Sequence, residues 1–121
     1  MHFVAAAGNS GANANVQSPA SEQSIVTVGA VDDKNKMAYF SNYGPALDVF
    51  ALGVNVEAAF IGGPQATARL SGTSMSSPAV AGILAVELSK DATPSPAKLQ
   101  ADLKKHGKAV VIGQPEGTET T

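Results

Sequence analysis

The sequence predicts a domain of the α/β class, with a mostly parallel sheet. Two short runs near the start, residues 3–7 and 25–31, are almost entirely apolar. Continuous apolar runs of this length are typical of strands in a parallel sheet that is covered on both faces. The helical patterns come later, from residue 74 onward. Leading strands followed by helices, with no internal repeat, are typical of an α/β domain or of part of one.

Composition limits the function classes. The 121 residues are enough for one domain or part of one, and 44% hydrophobic with 15% charged residues is typical of a folded protein. A net charge of −2 gives no basic surface for nucleic acid or an anionic membrane. The absence of cysteine excludes disulfides and a thiol nucleophile. The longest apolar run is far shorter than the ~20 residues that span a bilayer, and no targeting signal precedes it.

The first third of the chain alternates strands with polar loops. Residues 3–7 are a strand, the Asn- and Ser-rich residues 10–23 a surface loop, and the β-branched residues 25–31 a second strand. A charged turn at 32–36 precedes a short strand at 37–41.

A β-hairpin is predicted in the middle of the chain. Residues 47–52 and 54–60 are strand candidates separated by Gly53. The loop at 61–65 contains two glycines and a proline, and it returns the chain through a strand at 67–70.

The C-terminal third is mainly helical. A helix is predicted over residues 74–89, and because residues 78–86 are apolar on every side, it belongs in a core. Residues 109–112 are a last short strand, and 114–121 are a loose tail.

The second helix has clear ends. Ser95 is its cap, Pro96 lies in its first turn and Gly107 stands just past its end. Leu99 and Leu103 give it one apolar face.

Ser74 is the candidate nucleophile. It stands at the start of a predicted helix, where unpaired N–H groups and the positive end of the dipole favour an attack that creates an oxyanion. The alternative is that Ser74 only caps the helix. The amide of Asn9, after Gly8, is a second oxyanion donor, although by itself an Asn after a Gly is typical of a turn.

A serine hydroxyl needs a general base, and neither histidine is a convincing one. His2 precedes a buried strand, and His106 lies in the last turn of a polar-faced helix. Other serine hydrolases are excluded, because Ser76 replaces the glycine of a nucleophile elbow and Ser77 replaces the lysine of a Ser-x-x-Lys motif.

Together, two segments closely resemble the subtilisin-like serine proteases: AAAGN at 5–9 and GTSMSSPAVAG at 72–82. Four further segments narrow the resemblance to the proteinase K and cerevisin branch, best known from fungi: SPASE at 18–22, TVGA at 27–30, YFSNYG at 39–44 and LDVF at 47–50. The resemblance implies the C-terminal half of a peptidase S8 domain. Its three-layer fold has a mostly parallel sheet, a buried helix after the nucleophile and a β-hairpin.

The resemblance also implies roles for single residues. Ser74 matches the nucleophile, Asn9 the oxyanion-hole amide and Thr73 the residue that supports this amide. One wall of the pocket for the substrate side chain is matched by Ala6, Ala7 and Gly8.

A structural calcium site is implied at Asp48, with the backbone carbonyls of Gln23 and Ile25. Calcium prefers hard oxygen ligands, and water would complete its shell here. The alternative is a surface aspartate without metal. The chemistry itself requires no cofactor.

The sequence departs from the family pattern in its triad and at two smaller places. The family order is Asp, His, Ser, which places the Asp and His upstream of the strand at 3–7, so residues 1–121 are expected to be a partial domain. Ala79 stands where the family usually has a histidine that is not the triad base, and residues 51–53 (ALG) replace the usual Ala/Gly-Pro-Gly turn.

The implied function is a serine endopeptidase that works through an acyl-enzyme, inactive as residues 1–121 alone. Two alternatives stay open: a catalytically dead homologue acting as a binding module, and an unrelated α/β domain with chance motifs. The implied partners are polypeptide substrates, the N-terminal half of the same domain and a propeptide or protein inhibitor. The family resemblance implies an extracellular or vacuolar location.

Overall fold

The computed structural model describes residues 1–90, 94–118 and 120. Its elements are, in chain order, β1 (Val4–Ala6), a 3-10 helix (Ala14–Val16), β2 (Val26–Val31), β3 (Val49–Leu52), β4 (Val56–Ala59), β5 (Thr67–Leu70), α1 (Thr73–Lys90) and α2 (Pro96–His106). In the part of the chain so described, no helix combines the length and the apolar character that crossing a membrane requires.

The sheet is parallel, with β2 between β1 and β3. Val4 of β1 pairs with Val26, and Val28 of β2 pairs with Val49. Every residue of β2 is buried, as its continuous β-branched run predicts. The predicted α/β class is confirmed.

The two faces of the sheet pack against different layers, because successive strand residues point to opposite sides. One face meets both helices in a cluster formed by Val26, Val28, Val49, Val80, Leu84 and Leu99. The other face packs against loop segments through Ala7, Ala14, Ala20 and Leu47. Both faces of the short sheet are therefore covered.

The predicted hairpin is confirmed. β4 and β5 are antiparallel, with Val56 opposite Leu70 and Ala59 opposite Thr67. The ladder ends where the glycine-containing loop begins, which is the turn chemistry that the sequence indicated.

α2 has the predicted ends. Ser95 Oγ accepts a hydrogen bond from the Lys98 N–H at 3.2 Å, and the Gly107 N–H donates to the Leu103 carbonyl at 3.1 Å. Leu99 is buried in the core beside the partly buried Leu103. The apolar face of the helix is therefore its packed face.

The strand predicted at 37–41 is wrong. Only Met37 forms a bridge, to Val31, and the chain then turns through a hydrogen bond from the Ser41 N–H to the Ala38 carbonyl. β1 pairs only with residues 26–28, so the backbone groups at the end of β2 need other partners. The Ser41 hydroxyl supplies one by accepting from the Ala30 N–H at 2.9 Å.

The strand predicted at 109–112 is also wrong. Its only pairing is a single bridge between Ile112 and Lys36. Lys36 ends the five-residue turn at 32–36, which is too short to provide a longer strand edge. The predicted loose tail at 114–121 lies partly outside the described residues. Within them, the Gln114 side chain exchanges two hydrogen bonds with the Thr120 backbone.

The helix predicted over 74–89 is present as α1, but burial on every side is not. Its packed face is formed by residues four apart, Ser76, Val80 and Leu84. Ile83 and Val86 are 53% and 54% exposed. Other large apolar side chains are also exposed, among them Phe3, Leu52 and Leu70. An apolar surface of this kind favours association.

We therefore expect the isolated chain to self-associate as its concentration rises. The double variant Ile83→Lys, Val86→Lys should weaken association about 10²-fold, taking roughly 1.5 kcal/mol for each aliphatic side chain withdrawn from water. Sedimentation velocity over a concentration series measures this. Gln65→Lys in the exposed hairpin loop adds the same kind of charge elsewhere and should change little. Equal weakening by both variants would mean that charge, and not the face of α1, controls association.

Candidate active site

The candidate site forms where β1 ends and α1 begins. Gly8 and Asn9 follow β1, while Thr73 and Ser74 are the first residues of α1. The carboxyl end of a parallel strand and the N-terminus of a helix thus meet at one point. Ligands of α/β sheets bind at such edges.

Asn9 is held against Thr73 by two hydrogen bonds. Asn9 Oδ1 accepts from the Thr73 N–H at 2.9 Å and from the Thr73 hydroxyl at 2.8 Å. The same hydroxyl accepts from the Gly8 N–H at 3.2 Å, so its single proton points to Asn9. With Oδ1 fixed in this way, the Asn9 Nδ2 group is turned outward, and no described residue accepts its protons.

Ser74 presents its hydroxyl to solvent. The side chain lies in the first turn of α1, where backbone N–H groups have no partner within the helix. Its Oγ forms no hydrogen bond with any residue that the structure describes, so it does not cap α1. Ser74 Oγ, its own N–H and the Asn9 amide are thus available at one helix end.

Asn42 holds the loop that carries Asn9, and the sequence did not mark it as functional. It is 1% exposed. Asn42 Oδ1 accepts from the N–H groups of Ser10 and Ala12, each at 3.0 Å, and Nδ2 donates to the Ala7 carbonyl at 2.9 Å and to Gln17 Oε1 at 2.7 Å. The only signal for this residue was its place in the segment at 39–44.

Gly8 cannot be replaced without displacing this network. Its φ is +103°, which favours glycine, and a Cβ there would lie 2.5 Å from Gln17 Oε1 and closer still to Asn42 Nδ2. Of the predicted pocket wall, Ala7 is fully buried, whereas Ala6 and Gly8 are half-buried. The accessible part of that segment therefore belongs to Ala6 and Gly8.

The start of α1 is tied to the end of β3. The Gly72 N–H donates to the Gly53 carbonyl at 2.8 Å, and the buried Ser76 hydroxyl donates to the Ala51 carbonyl at 3.1 Å. Gly53 allows this approach, because a Cβ there would lie 2.8 Å from the Gly72 carbonyl oxygen. The helix end that carries Ser74 is thus fixed from two sides.

The two histidines lie elsewhere. Both border the middle of α1, where His2 shares a cleft with Leu84 and His106 shares clefts with Val80, Ile83 and Leu84. These positions follow Ser74 by six to ten residues, which is roughly 9–15 Å along a helix. Neither histidine is placed to take a proton from Ser74.

His106 has local partners of its own. Its Nδ1 lies 2.7 Å from the Asp102 carbonyl oxygen, one turn earlier in α2. The Lys98 ammonium, 2.6 Å from Asp102 Oδ2, holds the pKa of Asp102 below its usual range through its hydrogen bond. These contacts hold His106 on α2, at the cleft that α2 forms with α1.

The three oxygen atoms predicted to bind calcium do lie close together. Asp48 Oδ1, the Gln23 carbonyl and the Ile25 carbonyl all lie 2.9–3.2 Å from one nitrogen atom, Nε2 of Gln100. Gln100 was not among the residues predicted for this site. In the sequence, Gln100 is only a polar residue of a predicted helix and belongs to no motif.

Known proteins with similar sequences are subtilisin-like proteases of fungi. Subtilisin-like protease 2 of Pseudogymnoascus destructans is 45% identical over 115 residues, covering 95% of this chain and 29% of the relative. Subtilisin-like proteinase Spm1 of Pyricularia oryzae is 44% identical over 121 residues, covering 93% of this chain and 23% of the relative. The chain thus spans less than a third of the length of these relatives.

A solved protein structure is similar to this chain as well. The crystal structure of a cold-adapted subtilisin-like serine proteinase matches with a TM-score of 0.91 and 34% identity, covering 98% of this chain and 43% of that protein. The family model for the subtilases, peptidase family S8, matches residues 1–115. With its parallel sheet, its hairpin and a serine at the start of α1, the chain belongs to the subtilase family of serine peptidases.

Proposed function

We propose that this chain supplies the nucleophile, the oxyanion hole and one wall of the substrate cleft of a subtilisin-like serine endopeptidase. The observation that carries the proposal is the pair of hydrogen bonds that fixes Asn9 Oδ1 to Thr73, the residue directly before Ser74. An amide turned outward beside an exposed serine at a helix N-terminus is an arrangement that stabilises an oxyanion.

The proposed reaction begins when Ser74 Oγ attacks the carbonyl carbon of a peptide bond while its proton passes to a histidine supplied from outside residues 1–121. The carbonyl oxygen becomes an oxyanion, which accepts hydrogen bonds from Asn9 Nδ2 and the Ser74 N–H. Its collapse breaks the C–N bond, and the amine leaves with the proton from the histidine. Water then hydrolyses the acyl-serine by the same route.

The substrate would lie along the half-buried Ala6 and Gly8, next to the oxyanion hole. These residues have little or no side chain, so an extended peptide can approach the backbone closely. We propose polypeptides as the substrate class, with one wall of the cleft provided here and the opposite wall by the remainder of the domain. A propeptide or protein inhibitor as a further partner, and an extracellular or vacuolar location, are predictions from the family.

Residues 1–121 alone should be catalytically inactive, because a serine hydroxyl without a base is a weak nucleophile. A fluorophosphonate probe is expected to leave the purified chain unlabelled. Co-expression with the N-terminal part of a subtilisin-like relative that carries the Asp and His should restore labelling at Ser74, located by peptide mass spectrometry. Ser74→Ala in the same pair is the control.

Two results would contradict the proposal. Labelling of Ser74 in the chain alone would show that a base lies within residues 1–121. Stable pairing of the two parts without any labelling would favour the alternative, a catalytically dead homologue that binds another chain.

A further inference from the structure

Gln100 of α2 joins three segments that are far apart in sequence. Its Nε2 lies 3.2 Å from the Gln23 carbonyl, 2.9 Å from the Ile25 carbonyl and 3.0 Å from Asp48 Oδ1. The reverse orientation of the amide would place Oε1 against three acceptors. The three oxygens therefore fix which end of the amide points inward.

Lys104 adds a positive charge at the same point. It follows Gln100 by four residues, so the two side chains lie on one face of α2. Lys104 Nζ lies 3.3 Å from Asp48 Oδ1, the oxygen that Gln100 also contacts. Electrostatic pairing matters here because the Asp48 side chain is only 7% exposed.

Asp48 has both carboxylate oxygens paired. Its Oδ2 accepts from the Thr27 N–H at 2.8 Å, while Oδ1 faces Gln100 and Lys104. A buried carboxylate is tolerated when its charge is balanced and its lone pairs are used. Asp48 meets this condition with groups of its own chain.

This arrangement does not fit a calcium ion. Calcium takes six to eight oxygen ligands at about 2.3–2.6 Å, whereas here two N–H protons and an ammonium group point at the shared oxygens. A cation at that position would meet Lys104 at close range. Among the residues that the structure describes, no group of three or more His, Cys, Asp or Glu side chains could hold a metal.

We infer that Gln100 and Lys104 take the place of the calcium ion that the family resemblance implies. Gln100 ties the carbonyls at Gln23 and Ile25 to Asp48, and Lys104 balances the carboxylate charge. The linkage between the loop before β2, the start of β3 and α2 then comes from the chain itself. It is independent of metal concentration and of the proposed peptidase activity.

The test compares thermal unfolding of the chain in millimolar calcium and in a chelator, followed by circular dichroism. The wild-type midpoint should differ by less than about 1 °C, because no ion stabilises the folded state. The double variant Gln100→Glu, Lys104→Ala adds a carboxylate and removes the ammonium. Calcium, and not magnesium, should raise its midpoint by at least about 5 °C.

Lys105→Ala is the matched control, since it removes the neighbouring, exposed lysine, which has no contact with Asp48. It should leave the calcium response at zero. If the double variant does not fold without metal, the variant Gln100→Ala, Lys104→Ala, which removes both groups without adding a charge, is titrated with calcium by calorimetry. Binding is expected there, and the wild type should give none.

Two outcomes would overturn the inference. The first is a wild-type midpoint that rises with calcium and falls with the chelator, because the ion would then bind despite Gln100 and Lys104. The second is a folded variant lacking both Gln100 and Lys104 that binds no calcium, because the two side chains would then not occupy a position where a metal can bind.

Discussion

Asn42→Ala is expected to lower the free energy of unfolding by about 3–5 kcal/mol, a large effect for a single polar substitution. The side chain is buried and makes four hydrogen bonds, to Ser10, Ala12, Ala7 and Gln17. Alanine would leave the two N–H donors and the two acceptors without their partner. The carbonyl of the buried Ala7 would cost about 1–3 kcal/mol when unpaired, whereas the groups of Ser10, Ala12 and Gln17, which are exposed or half-buried, would cost less each because water can reach them.

Urea denaturation followed by circular dichroism measures this effect, with the slope of the transition compared between variants. Asn15→Ala is the matched control, since Asn15 is an exposed asparagine in the same loop region. It should change stability by no more than about 0.5 kcal/mol. A loss below about 1 kcal/mol for Asn42→Ala would contradict the network, because water would then replace the side chain at little cost.

The elements that could be predicted are those with local causes. The ends of α2 follow from Ser95, Pro96 and Gly107, whose backbone preferences act within one turn. The hairpin follows from the glycines of its loop, and β2 from its unbroken β-branched run. Local patterns fix such elements regardless of what packs against them.

The wrong predictions involve partners distant in the sequence. A run such as 37–41 is apolar enough for a strand, but only its neighbours decide whether it pairs. Here the Ser41 side chain satisfies the edge of β2 instead. Full burial of α1 was predicted from its composition, whereas exposure depends on which elements cover the helix.

The candidate site likewise contains residues that local motifs indicate and residues that only distant contacts reveal. Ser74 and Asn9 could be named as candidates because motifs carry them, while Asn42 and Gln100 act through contacts 25–77 residues apart in the sequence. A polar residue with no motif looks the same in sequence whether it is exposed or fully hydrogen-bonded. Asn42 holds the chain on both sides of Asn9, and Thr73 holds the Asn9 side chain itself.

Asn9→Ala is expected to lower kcat by about 10²–10³ in the enzyme completed by an Asp- and His-bearing segment, with KM nearly unchanged. This range is the one measured for subtilisin itself when its oxyanion-hole donor is removed, and it is carried over here on the strength of family membership. The physical reason is that Nδ2 is turned outward and interacts with a charge that exists only after attack by Ser74. An interaction confined to the transition state lowers kcat and kcat/KM together.

Asn9 also accepts two hydrogen bonds from the buried Thr73, so a loss of activity could arise from a loosened loop. Asn9→Asp separates the two roles, because it keeps an oxygen for Thr73 and removes only the outward N–H donors. It should keep most of the stability that Asn9→Ala loses, yet lower kcat at least as much, since its charge opposes an oxyanion. If Asn9→Asp instead retained activity in steady-state peptide hydrolysis, the amide would serve only to hold Thr73, and the oxyanion would have to rely on backbone N–H groups.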